Sequence, residues 1–144
     1  MFAGLQLFRG DFPETRESNA GDIFLTLDAP AEVSTIIRTA CYDCHSMETK
    51  FPWYSRVAPI SWWIIGHIDH GREELNFSEW SNLPKRTKLR KLKELGKEVE
   101  KGEMPLPSYL RGHPEARLTE EQRILIRDWS NEASKDLVST SSKD

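Results

Sequence analysis

Asp28-Ala29-Pro30-Ala31-Glu32-Val33-Ser34-Thr35-Ile36-Ile37-Arg38-Thr39-Ala40-Cys41-Tyr42-Asp43-Cys44-His45 is the stretch on which the fold turns. Asp28 or Ala29 stands at a predicted helix cap, and Pro30 fits the first turn, where its missing N–H is not needed. Val33, Ile36, Ile37 and Ala40 follow at i, i+3, i+4 and i+7, one apolar helix face. That face runs directly into Cys41-Tyr42-Asp43-Cys44-His45. A C-x-x-C-H box is therefore predicted at a helix C-terminus, where the helix holds the histidine rigidly and aims its ring outward.

C-x-x-C-H is the attachment sequence of c-type haem. Each thiol S–H adds across one porphyrin vinyl C=C, and the two-residue gap matches the reach between the vinyls. The histidine then supplies the proximal imidazole. Three other chemistries use some of the same residues. A thioredoxin-like pair wants a βαβ setting and a helix that begins at the first cysteine, whereas this pair ends one. A zinc site would recruit Cys41, Cys44, His67 and His70, but the gap between pairs and the short His spacing miss the usual finger pattern. A disulfide closing so short a loop would constrain little of the unfolded chain. One covalently attached haem c is the expected cofactor, with Cys41, Cys44 and His45 as its first contacts.

Outward from the box the chain reads as helices and turns. Residues 10–27 carry Pro13 and Gly21 among scattered polar groups, with no sustained period, and read as an extended lead-in. Phe51, Trp53, Tyr54, Trp62, Trp63, Phe77 and Trp80 crowd one segment, the candidate walls of a haem crevice or an ordinary aromatic core. Within it, residues 61–71 are predicted helical, with Trp62, Ile65 and Ile68 or Asp69 along one stripe. Pro84 opens another helix to about Lys101, burying Leu89, Leu92, Leu95 or Gly96, and Val99, with Gly102 as its stop. Thr119 and Gln122 form a capping box for a last helix, whose apolar face takes Ile124, Leu125, and Asp128 or Trp129. From Asp136 the chain is polar and expected to fray. No strand alternation and no repeat is visible.

The second axial ligand is expected to be Met104, in Gly102-Glu103-Met104-Pro105-Leu106-Pro107. A thioether is a soft, neutral donor that suits haem iron, and Pro105 biases Met104 towards an extended backbone. Met47 is too close to His45 to reach the opposite face. His67, His70 and His113 are the rivals; His113 is alternatively a donor to a haem propionate or a backbone carbonyl. Buried carboxylates need donors, so Tyr109, Ser108, Arg56 and the indoles of Trp53 and Trp62 are candidate propionate partners. Each has an ordinary packing alternative.

At 144 residues the chain is long enough for one core. A net charge of −3 gives no reason to expect nucleic acid or an anionic membrane surface. Lys85, Arg86, Lys88, Arg90, Lys91 and Lys93 form a basic run without an intervening acid. It reads as a solvated helix face or as a docking patch that steers an acidic redox partner; aromatics are not interleaved with it, as nucleic-acid binding would want. Met1 to Arg9 is apolar but too short to span a membrane and lacks a basic n-region. Because c-haem is normally installed after export, a leader or anchor is expected to precede this segment, or Phe2, Leu5, Leu7 and Phe8 pack on the domain.

Several separated blocks resemble one known family. The box and Ser46, Phe51-Pro52-Trp53-Tyr54-Ser55, Ala58-Pro59-Ile60-Ser61-Trp62-Trp63, Gly71-Arg72 and Leu75-Asn76-Phe77-Ser78-Glu79-Trp80 are similar to the small haem-binding-domain c-type cytochromes of bacteria. So are Gly102-Glu103-Met104-Pro105-Leu106-Pro107-Ser108-Tyr109 and His113-Pro114-Glu115-Ala116. The likeness covers roughly residues 30–130. It implies His45 as proximal and Met104 as distal ligand, and a periplasmic or otherwise extracytoplasmic protein anchored to the inner membrane, in a family whose members stand alone behind an N-terminal anchor or are fused to oxidoreductases and peroxidases.

The expectation is an all-α, class-I-like cytochrome c fold: four to five helices around one haem, with the N- and C-terminal helices packed together through Trp129. Residues 1–27 form the lead-in, 28–135 the domain and 136–144 a polar tail. The expected function is that of an exported monomeric one-electron carrier, and not an enzyme, with redox proteins as partners. The alternatives are a gas sensor or peroxidase-like module with an open iron, or a haem-bearing accessory subunit of an oxidoreductase.

Overall fold

The computed structural model describes residues 10–140; the apolar opening Met1–Arg9 and the last four residues lie outside them. Every regular element among the described residues is helical. There are six α-helices: α1 (Ile23–Thr26), α2 (Ala31–His45), α3 (Ile60–Glu74), α4 (Lys85–Lys101), α5 (Pro107–Leu110) and α6 (Glu120–Ser139). Three 3-10 turns join them, at Trp53–Arg56, Phe77–Asn82 and Pro114–Ala116. Two of the six, α1 and α5, are single turns, which is why periodicity alone counts fewer.

The apolar face of α2 is buried as its spacing requires, at Val33, Ile36, Ile37 and Ala40. Its start differs by a residue or two from the sequence expectation. Pro30, extended at ψ 141°, is the cap residue and Ala31 opens the helix. The Asp28 carbonyl is instead taken by the Trp129 indole N–H at 3.1 Å, which joins α2's entry to α6. Phe24 packs on the same indole, with ring centroids 5.7 Å apart.

α4 and α6 make the most extensive helix pairing. Leu92, Gly96 and Val99 face it from α4, and Ile126, Trp129, Ser130 and Ala133 from α6. Gly96 admits the close approach, because a Cβ there would run into the Ser130 side chain. The inward face of α6 is therefore set by Ile126 and Trp129; Ile124 is exposed, and Asp128 pairs with Arg127 at the surface. Thr119 and Gln122 do form the reciprocal capping box. The helix they start runs to Ser139, past the point where the composition turns polar.

Two further expectations change. α3 spans Ile60–Glu74, and what it buries is Ser61, Ile68 and Gly71, whereas Trp62 and Trp63 are largely exposed. A helix that touches its neighbour through a glycine leaves no room for a wide aromatic stripe. The lead-in is also not merely extended. Asp22 and Ile23 are fully buried, and α1 packs against the Phe77–Asn82 turn.

Candidate functional site

Helix α2 ends at His45, so Cys41 to His45 occupy its last turn. The two residues between the cysteines are tied down in separate places. Tyr42 is buried: its hydroxyl donates to Asp22 Oδ2 at 2.9 Å, and its ring stacks on Phe77 at 5.2 Å. The Arg38 guanidinium sits 4.5 Å from the same ring. Burial, with the Asp22 carboxylate beside it, pushes the Tyr42 phenol above its ordinary range. Asp22 itself, fully buried, also accepts from the Phe24 N–H at 2.9 Å and from Arg38 at 3.2 Å. A buried carboxylate is tolerated when its oxygens are satisfied in this way.

Asp43 bonds across the molecule. Its Oδ2 accepts from the Tyr109 hydroxyl at 2.8 Å and its Oδ1 from the Lys50 N–H at 3.1 Å. Past the box, Arg72 clamps the chain: it donates to the Ser46 carbonyl, the Thr49 hydroxyl and the Glu14 carbonyl at 2.8–2.9 Å. Gly71 brings α3 against the box, since a Cβ there would lie 2.6 Å from the Cys44 carbonyl oxygen.

His45 Nδ1–H donates to the Leu75 carbonyl at 3.0 Å. Burial holds the ring's pKa below its ordinary value, so the imidazole is neutral. With the proton on Nδ1, the free lone pair is on Nε2, the tautomer a metal-ligating histidine needs. Burial also pushes the Cys41 thiol up to about 12, Cys44 adding to it, and the Cys44 thiol up to about 11. Both stay protonated at neutral pH, which disfavours the reactive thiolate of a redox pair.

These groups line a cavity of about 240 Å³. Its walls are Ala40, Phe77, Leu95, Val99, Pro105 and Leu106, with Cys41, Cys44, His45 and Met104 among them. A second cavity, of about 230 Å³, adjoins it, lined by Phe51, Pro52, Tyr54, Ile60, Trp63, Ile64, Ser108 and His113. Cys44, His67, Leu106 and Tyr109 border both. Either alone falls short of the roughly 300–1,000 Å³ of a cofactor site; joined, they fall within it.

Met104 reaches this cavity from the segment between α4 and α5. Gly102, at φ 77°, ends α4 in the left-handed region, where glycine carries no Cβ penalty. The Glu98 carbonyl then accepts from Glu103 N–H at 3.0 Å and from Met104 N–H at 3.3 Å. Arg123 of α6 donates to the Val99 carbonyl at 2.8 Å and to the Met104 carbonyl at 3.4 Å. The Met104–Pro105 peptide is cis, as is Ala58–Pro59.

The remaining candidates separate. Ser108 and Tyr109 line the second cavity. Arg56, Trp53 and Trp62 line neither cavity, and Trp53 is 80% exposed. The Trp53–Arg56 turn lifts its first and last side chains into solvent and leaves Tyr54 facing in. His113 is committed elsewhere: Nε2 to the Tyr54 hydroxyl at 2.9 Å, Nδ1 to Glu115 at 3.1 Å, and its ring stacked on Tyr109 at 4.2 Å. His67 borders both cavities, with Nδ1 on the Trp63 carbonyl at 2.8 Å. His70 is exposed at the first cavity's rim. Among the described residues no three His, Cys, Asp or Glu side chains are grouped to hold a metal ion. The Cys₂His₂ zinc set therefore lacks its geometry.

The basic run is not a uniform solvated face. Lys91 is buried, bonds Glu74 at 3.2 Å and Glu94 at 3.3 Å, and lines the first cavity. Sequence reasoning also passed over Asp22, Arg38, Asp43 and Arg123. None of these side chains hydrogen-bonds to a residue three or four positions away, so no local pattern marks them; Gly71 and Arg72 were legible only as part of a family-like block.

One imidazole lone pair, one thioether and two thiols thus border a largely apolar crevice. That donor set suits a flat apolar ring carrying a soft metal, and the residues fit an iron porphyrin. No curated protein and no solved structure matches the chain. The haem-binding domain family matches over residues 1–132. The chain is a haem protein and belongs to the haem-binding domain family.

Proposed function

We propose that this chain is a monohaem c-type cytochrome, an exported carrier of single electrons. The observation that carries the reading is the set Cys41, Cys44, His45 and Met104 around one apolar cavity. Cys41 and Cys44 would hold the porphyrin through thioethers, with His45 as proximal and Met104 as distal ligand. Haem bound there supplies a one-electron iron couple. The chain's own residues do the rest. The Leu75 carbonyl keeps the His45 proton on Nδ1 and the lone pair on Nε2. Phe77, Leu95, Val99 and Pro105 give the crevice apolar walls. Met/His ligation and an apolar shell both favour a relatively high potential. Ser108 offers a hydroxyl to a propionate at the second cavity, where the Tyr109 hydroxyl is already given to Asp43 and the Tyr54 hydroxyl to His113.

Met104 is favoured over His67 as distal ligand because the His67 ring is packed on Trp63, centroids 4.1 Å apart. With His45 and Met104 both holding the haem, little would have to move during transfer and no position would be left for substrate. This suits a carrier better than a peroxidase or gas sensor. Export follows from c-type attachment. An N-terminal anchor belongs to the same proposal; among the described residues no helix is long and apolar enough to cross a membrane. Of the basic run, Lys85, Arg86 and Lys93 are exposed along α4 and would help to steer an acidic redox partner.

The test is the absorption spectrum of protein matured by a c-haem system. A low-spin spectrum with a sulfur-to-ferric-iron charge-transfer band, lost in Met104→Ala, is the expected result. A low-spin spectrum without the band would favour His67, and a high-spin one that responds to carbon monoxide would favour sensing or catalysis. Failure to attach haem would overturn the proposal.

A further inference from the structure

The segment that carries Met104 is held at two ends. On its N-terminal side it continues from the stop of α4, through the Glu98 carbonyl and Arg123. On its C-terminal side it passes through Pro105 into α5, and α5 makes one side-chain bond to the haem box: Tyr109 O–H to Asp43 Oδ2, 2.8 Å, between residues 66 apart in sequence. Asp43 lies between the two cysteines on the α2 side of the crevice; Tyr109 lies five residues past Met104 and borders both cavities. This bond therefore joins the two walls that would face each other across the porphyrin.

We propose that the Asp43–Tyr109 hydrogen bond is a latch that holds the Met104 segment closed over the distal side of the haem. The inference rests on Met104 as distal ligand. Three features make Tyr109 a positioning residue and not ordinary packing. Its acceptor is an anion, and a bond to an ionised acceptor is roughly twice as strong as a neutral one. Its ring is braced from behind by the parallel His113 ring, which Tyr54 and Glu115 hold in turn. Asp43 is itself fixed, by the Lys50 N–H to its carboxylate and by the Thr49 hydroxyl to its carbonyl at 2.7 Å. A latch needs both halves anchored, and each is held by contacts of its own.

The experiment compares matured wild type with Tyr109→Phe, Asp43→Ala, the double variant and Asp43→Asn. Its readouts are the charge-transfer band and the rate of carbon monoxide binding to the reduced protein. Tyr109→Phe removes one hydroxyl and keeps the stacked ring, so haem attachment and helicity should hold. The open fraction, and with it the carbon monoxide rate, should rise about tenfold or more, the size expected for loss of one charge-assisted hydrogen bond. Asp43→Asn, whose amide oxygen still accepts, should restore much of the closed state relative to Asp43→Ala. The double variant should be no more open than the worse single one, because both remove the same bond. Unchanged band and rate in both Tyr109→Phe and Asp43→Ala would overturn the latch and leave His/Met ligation standing. Absence of the band in wild type would overturn the ligation reading and the latch with it.

Discussion

The two sides of the crevice are built differently. The His45 side is the end of a 15-residue helix, fastened from within by Tyr42 on Asp22, from behind by Gly71 against Cys44, and beyond its end by Arg72 on Ser46 and Thr49. The Met104 side is a loop, fastened by carbonyls of α4, by Arg123 and by one hydroxyl. The difference fits the two tasks proposed for these sides. Covalent attachment and proximal ligation need thiols and imidazole held in fixed register, which a packed helix end supplies. A distal thioether needs only to be delivered, and a loop held by few bonds lets the strength of that delivery be set residue by residue.

Asp22→Ala should have the largest effect. It strands the Tyr42 hydroxyl and the Phe24 N–H around a buried hole and leaves Arg38 with Glu48 alone, at a cost of about 3 kcal/mol or more. Thermal unfolding of the apoprotein reads the loss, and haem incorporation should fall with it. A change below about 1 kcal/mol would mean the His45 side does not depend on its buried anchor.

Arg123→Ala should come next, costing about 1–2 kcal/mol for two charge-assisted bonds to carbonyls. Its signature should differ in kind: attachment yield intact, charge-transfer band weakened. If attachment suffers as much as in Asp22→Ala, the division between a fixed side and a delivered side is wrong.

The smallest effects come from two glycines of α3, and they should have opposite signs. Helix propensity favours alanine over glycine by about 1 kcal/mol. Gly66 is exposed with nothing near its would-be Cβ, so Gly66→Ala should raise the melting temperature. At Gly71 the neighbour is the Cys44 backbone, which cannot yield as a flexible side chain can. Overpacking of about 1–3 kcal/mol should outweigh the propensity gain there, lower the melting temperature and reduce attachment. Equal shifts in the two variants would remove α3 from the account of how the box is held.

Much was legible along the chain. The apolar face running into Cys41, the Gly102 stop and the Thr119–Gln122 box are patterns within about two turns, and each is where its spacing placed it. The box named the haem chemistry, and Met104 was marked by its loop. Errors fell where local pattern and packing diverge: Trp62 and Ile124 have the right spacing for burial but lie outside the close contacts made by Gly71 and Gly96. Propionate candidates were chosen by side-chain type, and type does not say which way a turn faces, so Trp53 and Arg56 proved exposed while Tyr54 lines the crevice.

By itself, then, the sequence determined the helices, the box and the candidate donors, because those depend on residues within a few positions of one another. Tertiary structure alone decided which tautomer His45 adopts, that Tyr42 and Asp43 are tied to different parts of the fold, and that Tyr109 meets the box. Those facts rest on pairs 20 to 66 residues apart, and such pairs exist only once burial has fixed how the helices cross.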